Sequence, residues 1–125
     1  MIFETIFWLT LNLYHEARGE PPEVQMAVAH VTMNRALDRK KTVSDVVKEP
    51  YQFSWTTTKL KQKPWVTDSE TFLRCGIIAL TAIIMPDITK GSTYYHERKV
   101  EPYWAKKMTK TKTTEKFYFY KEKKS

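Results

Sequence analysis

Apolar residues recur at helical spacing at Ile2, Ile6, Leu9 and Leu13, with Trp8 and Tyr14 broadening the stripe. The pattern predicts a helix from about Phe3 to Ala17, with Gly19 placed to stop it just beyond the cap. Glu16 then falls in the last turn, close to the core side. Pro21, Pro22 and Glu23 read as the start of a second helix, since proline suits the first helical position and an acid suits the first turn. Val24, Ala27, Val28, Val31 and Arg35 mark one face of that helix, expected from about Pro22 to Leu37. Ala27 and Ala29 allow a neighbour to approach closely. Asn34 and Arg35 lie on the same side and can serve a polar cleft.

Arg39 to Thr42 reads as a basic loop. The run Thr42, Val43, Ser44, Asp45 matches a capping box, so a short helix is expected over Val43 to Lys48, ended by Pro50. Tyr51 to Trp55 is too short for a helix and rich in aromatic and hydrogen-bonding groups. Thr56 to Pro64 is polar and basic, as an exposed loop would be. A third long helix is expected from about Glu70 to Met85, capped by Asp68 or Ser69 and stopped by Pro86. Phe72, Gly76, Leu80 and Ile83 share a stripe, with Ile77 and Ile84 beside it. A segment apolar on most sides is expected to be central. Gly91 opens a turn before a strand over Ser92 to His96. Glu101 to Trp104 reads as a turn or a single helical turn. Met108 to Thr113 and Lys116 to Lys121 read as a hairpin, with Phe117 and Phe119 facing one way and Tyr118 and Tyr120 the other. Residues 122–125 read as a frayed tail. No repeat or linker interrupts the pattern, so one domain over 1–125 is expected.

Composition agrees with a folded chain of 125 residues, 42% hydrophobic and 14% aromatic, which can bury a real core. The formal charge is +7, concentrated around Arg39, Lys40 and Lys41, the later Lys59, Lys61 and Lys63, and the last third. Such a surface favours polyanions: nucleic acid, acidic lipid or a phosphate-bearing envelope. One cysteine, Cys75, lies in an apolar segment, so no disulfide within the chain is available and a small core residue is expected. Ile2 to Leu13 is apolar, but Glu4 interrupts it, no basic region precedes it and it is too short to span a membrane. It reads as a helix of the folded protein rather than a signal peptide.

Glu16 is the candidate catalytic group. A carboxyl at a helix end beside Leu13 and Tyr14 is partly desolvated, which raises its pKa and suits a general acid at neutral pH. Arg18 argues the other way if its cation faces Glu16, in which case the two form a surface pair. Glu20 offers a second carboxylate, although Gly19 and Pro21 leave the spacing unfixed, and charge before a helix N-terminus explains it as well. His15, His30 and His96 lack the spacing of a zinc signature, and no metal or cofactor is expected. Cys75 with His96 and Asn34 makes a poor nucleophilic set, because an apolar helix raises the thiol pKa. Gln52, Ser54 and Trp55 can form one wall of a cleft, with Tyr94, Tyr95, His96 and Trp104 as the other. Each of these aromatics alone is better read as core packing.

Taken together these stretches resemble the cell wall hydrolase family typified by the spore-cortex-lytic enzyme SleB. The resemblance rests on Tyr14-His15-Glu16-Ala17-Arg18-Gly19-Glu20, Gln25-x-Ala27-Val28-Ala29 and Asn34-Arg35, followed in order by Gln52-Phe53-Ser54-Trp55. It continues through Gly91-Ser92-Thr93-x-Tyr95-His96, Val100-x-Pro102-x-Trp104-Ala105 and Phe117-Tyr118. It implies an α+β fold: a mostly helical, lysozyme-like domain with a small antiparallel β-sheet toward the C-terminus. It implies cleavage of peptidoglycan between N-acetylmuramic acid and N-acetylglucosamine. Glu16 carries over as the catalytic acid. Gln52, Ser54, Trp55, Tyr95, His96 and Trp104 carry over as substrate-binding residues, with Glu20, Arg18 and Asn34 in support. The chain departs from the family in its lysine-rich segment Thr56 to Val66 and in Glu115, which stands where the family pattern has histidine.

With one dominant carboxylate, the expected reaction is that of a lytic transglycosylase, with a muramidase as the variant in which water attacks. The expected setting is a bacteriophage endolysin, monomeric, held in the host cytoplasm before lysis and then reaching the periplasm or cell wall. Its partners would be glycan strands and, electrostatically, the anionic envelope, with no nucleic acid. Two alternatives belong to other classes: a metal-dependent N-acetylmuramoyl-L-alanine amidase, and a non-catalytic basic module binding polyanions.

Overall fold

The structure is a computed structural model that describes residues 2–49 and 66–123. Helices α1 (Ile2–Ala17), α2 (Pro22–Arg39), α3 (Val43–Lys48) and α4 (Ser69–Ile84) precede strand β1 (Tyr94–Glu97), a 3₁₀ turn (Tyr103–Lys107), and strands β2 (Met108–Thr113) and β3 (Phe117–Glu122). The expectations placed on Tyr51 to Trp55 and Thr56 to Pro64 lie outside the described residues.

The central element is α1 rather than α4. Residues 9–14 of α1 are buried on every side, and α1 packs against α2, α3 and α4. Helix α4 buries only Cys75, Ala79 and Ala82, while Leu73, Ile77, Leu80 and Ile84 stay exposed. Small size decides this arrangement. A Cβ built on Gly76 would stand 3.7 Å from Thr10 Cγ2, so the two helices approach along a ridge of small side chains. Leu73, Ile77, Leu80 and Ile84 are thereby turned outward, while Phe72, Ile78 and Ile83 pack half-buried at the edge of the core.

Local rules account for the helix ends. Thr42 caps α3, its hydroxyl oxygen accepting from the Asp45 N–H at 3.0 Å. Asp68 does the same for α4 through the Thr71 N–H at 3.1 Å. The Tyr14 hydroxyl oxygen accepts from both the Thr67 and Asp68 N–H groups at 3.1 Å, tying α1 to the start of α4. Helix α2 runs two residues past Leu37 and is stopped by Lys40, which takes a left-handed conformation (φ 54°). Gly19 does not take the left-handed conformation expected of a stop. The end of α1 is instead closed by Gln25, whose amide donates to the Ala17 carbonyl at 3.0 Å and the Arg18 carbonyl at 3.4 Å.

The sheet has the order β1-β3-β2 and is antiparallel throughout. Its strand faces alternate as the sequence predicts. Phe117 and Phe119 point into the core, where the Tyr95 ring packs at 6.0 and 5.5 Å from them. Tyr118 and Tyr120 point outward and pack on His96. A bulge between Lys110 and Lys112 reverses the facing within β2. Lys110 therefore lies over the outer Tyr118 ring, while Lys112 reaches Glu23 of α2 at 3.4 Å.

Candidate active site

The decisive contact joins the first helix to the first strand. Tyr95 on β1 donates its hydroxyl to Glu16 Oε1 at 2.6 Å. It bridges 79 residues of sequence. Burial raises the Glu16 carboxyl above its ordinary pKa; the Tyr95 bond and the Arg35 charge pull it back only in part. Burial also holds the Tyr95 phenol well above its usual range, and the Glu16 charge and hydrogen bond add to that. Tyr95 thus remains a donor across the physiological range. With Oε1 accepting from Tyr95, Oε2 has no hydrogen-bond partner among the described residues and is the oxygen left to carry a proton.

The cation that faces Glu16 is Arg35. Arg18 is exposed; it donates to the Tyr14 carbonyl at 3.2 Å and lies 4.5 Å from the Tyr14 ring centroid. That geometry answers the question left open by the sequence, since Arg18 is turned back along its own helix. Arg35 is only 5% exposed. Its Nε donates to the Thr93 carbonyl at 2.5 Å, and its guanidinium lies 5.2 Å from the Tyr94 ring. Arg35 was visible in the sequence as a lone cation on the apolar face of α2, but its role was not. A buried arginine needs an acceptor and a countercharge, and that need is the signal that could have found it.

Asn34 acts one step further out. Its amide donates to Asp87 Oδ2 at 2.8 Å, the Ser92 carbonyl at 2.9 Å and Thr89 Oγ1 at 3.3 Å. Asp87 in turn accepts from the Thr89 N–H (2.7 Å) and the Gly91 N–H (2.8 Å). Burial pushes the Asp87 carboxyl up, but these donors outweigh it and hold it below the usual range. Asn34 and Arg35 together fix the turn that feeds β1, and so fix where Tyr95 meets Glu16.

The remaining candidates are distributed. His96 and Trp104 come together, with ring centroids 5.6 Å apart, but on the face of the sheet opposite Tyr95. This follows from their neighbourhood: adjacent strand residues point to opposite faces. Glu20 lines a hollow of about 400 Å³ with Arg18, Gln25, Thr71, Arg74 and Ile77, and its Oε1 is buried there with no hydrogen-bond partner among the described residues. Gln52, Ser54 and Trp55 lie outside the described residues. His30 is structural, with Nδ1 accepting from the Ile88 N–H at 3.3 Å and Nε2 donating to the Ala82 carbonyl at 2.9 Å. Cys75 is buried and its thiol is pushed up by that burial. Among the described residues no three of His, Cys, Asp and Glu are grouped to hold a metal ion, and no helix is long and apolar enough to cross a membrane.

The family model described as Cell Wall Hydrolase matches residues 19–120. The chain belongs to the cell wall hydrolase family. Two solved structures carry the same fold. The crystal structure of the catalytic domain of the Bacillus cereus SleB protein is 30% identical with a TM-score of 0.77, covering 94% of this chain and 89% of that one. The catalytic domain of the germination-specific lytic transglycosylase SleB from Bacillus anthracis is also 30% identical with a TM-score of 0.77, covering 94% and 93%. No curated protein matches the chain. The family match begins at Gly19, three residues after Glu16. The case for Glu16 therefore rests on the contact with Tyr95 and the burial around it.

Proposed function

We propose that this cell wall hydrolase cleaves the glycan strand of peptidoglycan as a lytic transglycosylase, with Glu16 as its general acid and base and residues 1–125 acting as one catalytic domain. The observation that carries the reading is the half-buried Glu16 carboxyl, raised in pKa and held by Tyr95 at 2.6 Å. Two further facts support it: membership of the family, and likeness to a Bacillus anthracis protein described as a lytic transglycosylase.

In this reaction protonated Glu16 gives its proton to the glycosidic oxygen as the bond to the muramic acid anomeric carbon breaks. The resulting carboxylate is stabilised by the Tyr95 hydroxyl and the Arg35 charge. It then takes the proton of the C6 hydroxyl of the same sugar, whose oxygen closes a 1,6-anhydro ring, and Glu16 is protonated again. No water is consumed and no second carboxylate is needed. Glu20 is turned into the hollow beside Arg74, which Glu16 does not line. The basic character of the chain fits a bacteriophage endolysin that meets an anionic envelope, and we assign it that biological role.

The test is Glu16→Gln. Its amide oxygen still accepts from Tyr95, so the fold is kept. Solubilisation of purified peptidoglycan should fall by roughly 10²–10⁴-fold, the usual contribution of a positioned general acid. A variant that solubilises peptidoglycan within about tenfold of wild type would remove Glu16 from the mechanism.

A further inference from the structure

The outer face of the sheet carries a concavity of about 560 Å³ whose walls include Arg98, Tyr103, Lys106, Lys110 and Tyr118. It opens away from Glu16, because Tyr118 and Tyr120 alternate along β3 with the inward Phe117 and Phe119. Its floor is rigid. His96 stacks on Tyr120 with centroids 5.2 Å apart and planes at 18°. In the neutral ring, Nδ1 donates to the Glu97 carbonyl at 2.6 Å and Nε2 accepts from the Tyr120 hydroxyl at 2.8 Å. Trp104 closes the cluster edge-on against both rings, at 5.6 Å from each.

Cations converge on this floor, where the Arg98 guanidinium donates only to the Thr114 and Glu115 carbonyls among the described residues. The Lys110 ammonium lies 3.6 Å from the Tyr118 ring centroid and the Arg98 guanidinium 5.0 Å from it. Neither Lys106 nor Lys110 has a carboxylate partner among the described residues, and Glu101 is the one acid in the wall. The span 94–123 carries nine lysines and arginines against four glutamates. Like charges gathered at one hollow repel each other, and an anion entering it relieves that repulsion. Tyr103 stands 85% exposed at the rim and presents a flat amphipathic ring. Cations beside an exposed aromatic platform fit a sugar polymer that bears negative charge.

We propose that this outer face is a docking site for an anionic polysaccharide of the cell wall, separate from the Glu16 site. It rests on the cell-wall reading above for the source of that polymer. Held there, the enzyme stays on an insoluble strand between cleavage events. The anions are the stem-peptide carboxylates of peptidoglycan, the polymer that the proposed reaction cleaves, and they meet Arg98, Lys106 and Lys110.

The test is co-sedimentation with purified sacculi, in a Glu16→Gln background so that the substrate is not digested. Lys106→Ala/Lys110→Ala and Tyr103→Ala are compared with their parent. A control, Lys40→Ala/Lys90→Ala, removes the same charge from other exposed positions. Unchanged melting of each variant confirms folding. The expected result is a weakening of about tenfold or more for the first two, with the control near its parent. Sacculi stripped of phosphate polymers by acid test the source: retained binding is expected of carboxylates, and lost binding overturns the proposal by assigning the anion to phosphodiesters. An equal loss in the control, no loss in the first two, or binding to anionic lipid vesicles without binding to sacculi overturns it. Digestion by wild type is read separately. Docking with no cleavage would count against the catalytic reading alone, and cleavage with no docking against this one alone.

Discussion

Replacing Tyr95 by Phe deletes one oxygen, the donor 2.6 Å from Glu16 Oε1. The ring remains, stacked at 5.5 Å on Phe119 in the paired strand, so β1 keeps its register. A hydrogen bond to a charged group contributes about 1.5–3 kcal/mol. It acts chiefly on the carboxylate, which is the state Glu16 enters as it gives up its proton. The barrier should rise by up to that amount, a rate loss of about 10- to 100-fold. The same deletion removes an interaction that lowers the Glu16 pKa, leaving burial less opposed. The alkaline limb of activity, where the acid loses its proton, should therefore move to higher pH. Rates of peptidoglycan solubilisation across pH, for wild type and Tyr95→Phe, read both effects. A limb that moves to lower pH, or a rate that does not change, would refute the idea that Tyr95 serves the ionised form of Glu16.

The raised Glu16 pKa also has a stability consequence. The folded state binds this proton more tightly than the unfolded chain, whose carboxyl titrates near about 4.3. The stability it contributes is fully present below that value and is lost as pH rises through the folded pKa. Glu16→Gln escapes that loss, so its Tm relative to wild type should climb across this window; a constant gap from about pH 4 to about pH 8 would mean that Glu16 is not held in a desolvating site. Ala79→Leu should destabilise the fold by about 1–3 kcal/mol in urea, because Ala79 is fully buried where α4 presents its small-residue face. A neutral result would show slack between α4 and its neighbours. Asn34→Ala leaves Asp87 and the Ser92 carbonyl short of a donor and should cost about 1–3 kcal/mol, with a fall in kcat as Tyr95 loses its anchor; wild-type stability in urea would show that the 87–93 turn holds without it.

Much of this was readable from the chain. Periodicity located three of the four helices among the described residues and a capping box the other, and strand alternation placed Phe117 and Phe119 inward and Tyr118 and Tyr120 outward. Local chemistry at Thr42 and Asp68 marked two helix starts to within a residue. The failures share one cause, which is that tertiary partners are not written in local pattern. Nothing in the stripe through Leu80 says that Cys75, Ala79 and Ala82 will be the buried face, because the choice depends on how closely α1 can approach. The stop at Gly19 looked sufficient, yet a side chain eight residues on, Gln25, closes α1 instead. At the site, Glu16 was legible from its position at a helix end, but its partners were not. Arg18 is two residues on in sequence and turns away, while Arg35 and Tyr95 arrive from α2 and β1. His96 beside Tyr95 was grouped with it, and pleating sends the two to opposite faces.

The central claim is that one half-buried carboxylate carries the whole reaction, without water as nucleophile. Purified peptidoglycan digested to completion, with the soluble products read by mass spectrometry, tests it most directly. The account predicts 1,6-anhydromuramic acid ends, and none when Glu16→Gln is used in place of wild type. Hydrated reducing ends would contradict it by showing that water attacks, and free stem peptides on an intact glycan would move the chemistry to a different bond altogether.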